Sequence, residues 1–170
     1  MGFGFNVDDI SSSATRAQIA LNALNRSELG GVDLKATTRT LEMATTGRIQ
    51  LLDITRPVEQ IVRDSGIKSG LCLVHAPHAT VAIIANENEQ GLVRDFVDKI
   101  EELYPPRGNY LHNRIDDNAS SHLASGLIGS SRTFPVRDGR LVRGTWQNIF
   151  LVELDGPRTQ RLVEVTVIGE

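Results

Sequence analysis

The feature that most constrains this chain is a series of short β-patterned runs, each closed by a turn signal. LKATTRTLEM alternates and is rich in threonine, and Thr45-Thr46-Gly47 turns it toward IQLLDI. GLCLVHA and ATVAIIA are two apolar runs hinged at Pro77. RTFPV and RLVRG flank Asp138-Gly139, a pair suited to a hairpin turn. GTWQNIFLVEL and RLVEVTVI lie on either side of Asp155-Gly156-Pro157. Such runs leave backbone groups that only a neighbouring strand can pair.

Helical patterns interrupt the series. Thr55-Arg56-Pro57 places proline in a first turn, Val58, Ile61 and Val62 form a buried side, and Ser65-Gly66 is a stop. Asn86 and Glu89, three apart, read as a capping box before Leu92, Phe96, Ile100 and Leu103, and Tyr104-Pro105-Pro106 ends that helix. A short helix is expected to carry His122, Leu123 and Leu127. About seven or eight strands with hairpin-like connections and two or three short helices predict an α+β fold. The expected form is a single compact domain over 35–170, a mainly antiparallel sandwich or partly closed barrel. Residues 1–34 differ: Ile10, Ala14, Ala17, Leu21 and Leu24 fall at helical spacing, which predicts an N-terminal extension with a short docked helix.

Composition narrows the function. A chain of 170 residues with 40% hydrophobic residues can build one core, and a net charge of -3 supplies no basic face for nucleic acid or anionic membrane. No apolar run reaches the roughly 20 residues of a membrane span. MGFGFNVDDISSS has neither a basic start nor an apolar stretch, so the expected location is the cytoplasm. The one cysteine, Cys72, lies between two leucines of a strand and reads as a small packed hydrophobe.

The chemistry-bearing residues gather in three blocks. HAPHATVAIIANENEQ carries His75 and His78 before an apolar strand and Asn86, Glu87 and Glu89 after it. YLHNRIDDNASSHL carries His112, Asp116, Asp117, Asn118 and His122. Imidazoles on loops and strand ends suit zinc, which takes three protein ligands at a catalytic site and leaves a fourth position open. Spacing alone leaves two readings open, a shared ion at His78, His112 and His122 or three solvated loop histidines. Asp117 or Asn118 orients an imidazole or caps a helix. In the last block, Gln147 and Glu153 share one face of the expected strand, as a wet surface or a pocket wall. Arg158 follows a turn and suits an anionic group. Gly129-Ser130-Ser131 offers a loose phosphate cradle without the ending of a P-loop.

HAPHATVAIIANENE, LHNRIDDNASSHLASGLIGSS and DGRLVRGTWQNIFLVELDGPR, in that order, resemble the YjbQ-like family, also called secondary thiamine-phosphate synthase. The resemblance runs from about Lys35 to the C-terminus. It implies a homotrimer, and a divalent metal such as zinc or a pocket at the family's histidines, matched here by His78, His112 and His122. It also implies a weak thiamine-phosphate synthase activity on small phosphorylated molecules. That reaction joins hydroxymethylpyrimidine diphosphate to a thiazole phosphate and releases pyrophosphate. Where the family carries a proline-histidine pair followed by two threonines, this chain has Pro77-His78-Ala79-Thr80 and lacks one hydroxyl.

On that reading the metal polarises a diphosphate, and Arg158 or the Gly129–Ser131 loop neutralises phosphate. Glu153 or Asp117 accepts a proton, and Asn86 and Glu87 return the chain to the rim that holds His78. A metal-dependent hydrolase of a phosphate or acyl substrate is the alternative. A non-enzymatic trimeric protein binding a metal or small ligand is the third.

Overall fold

The computed structural model describes residues 33–170. The expected helix of the N-terminal extension falls on residues outside that range. Eight strands and three α-helices follow in the order β1 (Lys35–Met43), β2 (Gln50–Asp53), α1 (Thr55–Ser65), β3 (Ser69–His75), β4 (Val81–Asn86), α2 (Gln90–Leu103), α3 (Ala119–Ile128), β5 (Ser131–Arg137), β6 (Arg140–Leu141), β7 (Asn148–Glu153) and β8 (Arg161–Gly169). A single 3₁₀ turn, His112–Arg114, precedes α3.

The strands form two antiparallel sheets, as the hairpin-rich sequence predicts: a five-stranded sheet in the order β1-β8-β3-β5-β6 and a three-stranded sheet in the order β2-β7-β4. Period-two alternation decides which side of the large sheet is inside. Val163, Val165 and Val167 of β8 and Cys72 and Val74 of β3 are buried, while Leu71, Leu73 and Ile168 between them face outward. The inner side packs on Ile149 and Leu151 of β7, Val81 and Ile83 of β4, and Val58 and Val62 of α1 in one core. The opposite side of the small sheet meets α2 and α3 through Ala82, Val152, Leu154, Ile100 and Ala124. The β7 strand is covered on both faces, which accounts for its unbroken apolar run Ile149–Val152.

Local signals explain the element ends. Gly66 ends α1 at φ 70°, and Asp138 and Gly139 turn β5 into β6 at φ 52° and 71°, the left-handed pair of a tight hairpin. The α2 cap differs from expectation. Glu89 itself is the N-cap, its carboxylate accepting from the N–H groups of Gly91 and Leu92 at 2.7 and 2.8 Å, while Asn86 still belongs to β4. The expected strand GTWQNIFLVEL begins only at Asn148. Gly144–Gln147 is a turn closed by the Gln147 N–H on the Gly144 carbonyl at 3.0 Å, so Gln147 shares no strand face with Glu153.

The α3 helix inverts the usual pattern. Ala119, Ser120, Ser121, Ala124 and Ser125 are buried, and Leu123 and Leu127 are exposed. Two buried hydroxyls bind carbonyls of β4 and of the residue that follows β7: Ser121 donates to Leu154 O at 2.6 Å and Ser125 to Val81 O at 2.7 Å. Among the described residues no helix is long and apolar enough to cross a membrane.

Gly70 and Gly169 face each other across β3 and β8. A Cβ on Gly70 would overlap the Ile168 carbonyl oxygen, a backbone atom that cannot rotate away. Gly70→Ala is therefore expected to lower the unfolding free energy by about 1–3 kcal/mol, the usual cost of overpacking, as read by urea denaturation. Gly126→Ala, at a site where an added Cβ meets nothing, is the matched control.

Candidate functional site

The polar chemistry lies at the two ends of the small sheet. At one end Glu153, wholly buried on β7, meets Arg161 on β8 of the other sheet. The guanidinium donates through Nε and Nη2 at 2.7 and 2.6 Å. Glu153 also accepts from the Thr45 hydroxyl at 3.0 Å and from the N–H groups of Leu154 and Asp155 at 3.0 and 2.8 Å. Burial alone would raise this carboxyl. The Arg161 hydrogen bond, the Asp155 N–H, the Arg161 charge and Thr45 together hold it below the usual carboxylate range. Such a group is a weak base. Glu153 is neither wet surface nor pocket wall, and its geometry does not fit the expected proton acceptor.

His78 sits beside this pair. Its Nε2 accepts the Leu162 N–H at 2.9 Å. Burial, reinforced by the Arg161 charge, holds its pKa below the ordinary imidazole value despite Glu153. In a neutral ring with Nε2 accepting, Nδ1 carries the proton, so no lone pair remains for a metal. His78 does not fit the expected ligand role. Thr80, the threonine kept after Ala79, accepts from Arg161 at 3.1 Å.

His112 and His122 do converge. Their rings are edge-on, with centroids 5.0 Å apart and planes at 76°. The contact sets the edge of one imidazole against the other, so two ring-nitrogen donor groups lie side by side on the loop and on α3. Among the described residues no third His, Cys, Asp or Glu completes a group able to hold a metal. The 3₁₀ turn presents His112 and the first turn of α3 presents His122.

Asn118 occupies the N-cap position of α3, but its side chain makes no cap; Asn113 Oδ1 accepts the Ala119 N–H at 3.1 Å instead. Asn118 Nδ2 reaches across to Asp155 at 3.1 Å, and Asp155 accepts from Arg158 at 2.6 Å. Arg158 is tied in turn to Thr45, whose hydroxyl accepts the Arg158 N–H at 2.9 Å. Asn118 is 9% exposed, and its Oδ1 is buried without a hydrogen-bond partner. Asp117 is exposed in the loop between the two histidines.

Two expected groups lie elsewhere. The Gly129 N–H donates to Ser125 O at 2.8 Å, Ser131 is already in β5, and Arg132 turns back to the Ile128 and Ser131 carbonyls. Gly129, Ser130 and Ser131 therefore close a helix and open a strand, and they lack the converging free N–H groups of a phosphate cradle. Asn86, Glu87 and Gln147 lie at the far end of the small sheet. The six residues of β4 separate Asn86 from the His78 end, a span of roughly 17 Å at about 3.4 Å per residue. The expected single rim is two rims.

Asp53 organises the far rim and was missed because it reads as the polar end of a strand. Its Oδ1 accepts the Thr55 N–H at 2.9 Å and its Oδ2 accepts the amides of Asn88 and Asn148 at 2.8 and 2.7 Å. The available signal was an Asp two residues ahead of a helix start.

Residues 39–170 match the family model described as UPF0047 protein YjbQ-like. The chain belongs to this family. A UPF0047 protein of Methanothermobacter thermautotrophicus is 44% identical over 140 residues, covering 82% of this chain and 97% of its own. The UPF0047 protein YugU of Bacillus subtilis is 39% identical over 123 residues, covering 72% and 92%. The crystal structure of a YbjQ-like protein of unknown function from Sulfolobus solfataricus P2 shares 52% identity and a TM-score of 0.80, covering 81% of this chain and 99% of that one. A hypothetical protein from Aeropyrum pernix K1 shares 44% identity and a TM-score of 0.77, covering 79% and 99%.

Glu153→Gln leaves Arg161 buried without its counter-charge and should cost about 3–5 kcal/mol in urea unfolding. In the wild type the folded state binds fewer protons than the unfolded state once pH drops toward the ordinary carboxyl value. Stability therefore falls as pH is lowered through that value, and the fall should be shallower in Glu153→Gln.

Proposed function

We propose that this YjbQ-like protein binds phosphorylated small molecules at the His112–His122 end of the small sheet. There it carries a thiamine-phosphate-synthase type of transfer as a side activity. The observation that supports this reading above others is the 5.0 Å His112–His122 pair, joined through α3 to a buried, unpartnered Asn118 oxygen. An orphaned buried acceptor costs free energy that a ligand's donor would recover.

In the transfer, the bond from the pyrimidine's methylene carbon to the diphosphate oxygen breaks and a bond to the thiazole nitrogen forms. Pyrophosphate leaves with the electron pair. A divalent ion held by His112 and His122, zinc being suited to two imidazoles, would supply positive charge to the departing diphosphate. Arg158, half-exposed and steadied by Asp155, offers a guanidinium to the same group. Asn118 Oδ1 accepts a donor from the substrate, and the exposed Asp117 carboxylate offers a second hydrogen-bond acceptor in the same loop; the thiazole nitrogen carries no proton, so the transfer itself needs no base. A phosphate hydrolase would use the same groups with water as the nucleophile.

We further infer a homotrimer. The chain exposes two different apolar surfaces. Leu71, Leu73 and Ile168 lie on the outer side of the large sheet, and Leu111, Ile115, Leu123 and Leu127 lie around the histidine pair. A head-to-tail contact between unlike surfaces makes a ring where its rotation closes and a filament where it does not, and a ring of three is the form the family resemblance leads us to expect. Residues of a second copy would then border His112 and His122. The buried thiol of Cys72, pushed up to about 11 by desolvation, suits a cytoplasmic protein.

Wild type should carry about one divalent ion per site by elemental mass spectrometry, and His112→Ala should lose it together with at least about tenfold of pyrophosphate release. Unchanged activity in a folded His112→Ala would sink the reading, and phosphate release without the thiazole substrate would favour the hydrolase. For assembly, Leu73→Asp should reduce the mass in sedimentation from three chains to one. A trimer that persists in the variant would exclude the sheet face from the contact.

A further inference from the structure

A cavity of about 760 Å³ opens at the rim opposite the histidines. Its size is that of a small-molecule site. Three features of its wall specify a chemistry.

The first is Trp146, the sole tryptophan of the chain, which is 68% exposed. Its backbone is held while its indole is free. The Gly144 N–H donates to Gln147 Oε1 at 2.8 Å, and Arg143 holds the Gln147 carbonyl at 3.1 Å and Glu59 at 2.8 Å. A rigid turn thus presents a flat apolar face at the mouth of a polar cleft.

The second is the orientation of two amides. Asp53 takes the NH₂ groups of both Asn88 and Asn148 on one oxygen. Each amide must then turn its carbonyl oxygen away from Asp53, which leaves two fixed acceptors. Burial would raise the Asp53 carboxyl, but the Thr55, Asn148 and Asn88 hydrogen bonds hold it below the usual range, so the arrangement persists at neutral pH.

The third is charge. Asp53, Glu59 and Glu87 face Arg56 and Arg143 across the cleft, and Arg143 is already paired with Glu59. The near-balance offers a phosphate no cationic excess. A donor (Arg56), acceptors (the two amide oxygens and Glu87) and the Thr145 hydroxyl line the same cleft as the aromatic face.

We propose that this cleft binds a neutral polyhydroxylated ring, such as a sugar or the ribose of a nucleoside, with its C–H face on Trp146 and its hydroxyls on Asn88 and Asn148. Vicinal hydroxyls both donate and accept, and no charge needs desolvation. The site is separate from the histidine end and goes beyond the function proposed above.

Because Trp146 is the only tryptophan, its emission reports on this cleft alone. Full-length protein would be titrated with ribose, glucose, inositol and adenosine, and with inorganic phosphate and tetramethylammonium as charged controls. The expected result is saturable quenching or a blue shift with at least one of the polyhydroxylated probes. It should weaken at least about tenfold in Asn88→Ala, the loss of one well-placed hydrogen bond at a charge-supported site. It should remain in His112→Ala, which keeps this test apart from that of the histidine site. Calorimetry on Trp146→Ala should show the same loss without the optical probe. Saturation by phosphate or tetramethylammonium alone, or no response to any of the four polyhydroxylated probes, would overturn the proposal.

Discussion

The structure depends on one buried ion pair that crosses between the sheets. Glu153 ends the central strand of the small sheet, and Arg161 begins β8, which lies between β1 and β3 in the large sheet. Two charges out of water are tolerated only when nearly every remaining polar atom has a partner. Here the partners come from three separate connections: Thr45 after β1, Thr80 before β4, and the backbone N–H groups of Leu154 and Asp155. Satisfying this one ion pair therefore gathers three loops to one end of the molecule. Asp155 and Thr45 then hold Arg158, and Asp155 holds Asn118. The polar end is a consequence of that pair, and any ligand chemistry there is built on a foundation that is itself structural.

This explains the roles of His78 and Glu153. Both are residue types that sequence reasoning assigns to catalysis. Both instead serve the joint between the sheets, Glu153 by pairing with Arg161 and His78 by receiving the first free N–H of the β8 edge. The residues left with unused capacity sit one layer further out: His112, His122, Arg158, Asp117 and the Asn118 oxygen. A polar residue with every hydrogen bond satisfied inside the chain has little left to offer a substrate. One that is positioned but unsatisfied has more.

Much of the fold was legible because alternation is a local signal. Every apolar run became a strand, and Gly66 and Asp138-Gly139 ended or turned elements as their backbone preferences require. The misreadings share a cause. Gln147 resembled a strand residue because aromatic and apolar residues surround it, but its amide folds back on Gly144 and closes a turn. Asn118 resembled a cap, but its NH₂ group reaches to Asp155, its oxygen is left without a partner, and Asn113 takes the Ala119 N–H instead. The His78 lone pair is taken by a backbone N–H 84 residues away, which no spacing rule reaches. The two-rim arrangement was hidden for a simpler reason. A strand carries its two ends apart, so residues close in sequence on either side of ATVAIIA cannot share a site within one chain.

The α3 helix joins these themes. Its serines and alanines let the helix backbone approach the small sheet closely, and Ser121 and Ser125 take up the carbonyls at the edge. A helix with leucine inside would stand further off, and neither Asn118 nor His122 would reach the polar end. The close approach has a corollary, because the apolar residues are left on the outer face. Leu123 at 46% and Leu127 at 74% exposed, beside Leu111 at 73% and Ile115 at 88%, form a surface that water covers at a cost. The same sequence choice that brings α3 close to the small sheet therefore leaves apolar surface on the helix's outer face. Buried small residues and exposed leucines are two sides of the composition of one ten-residue helix.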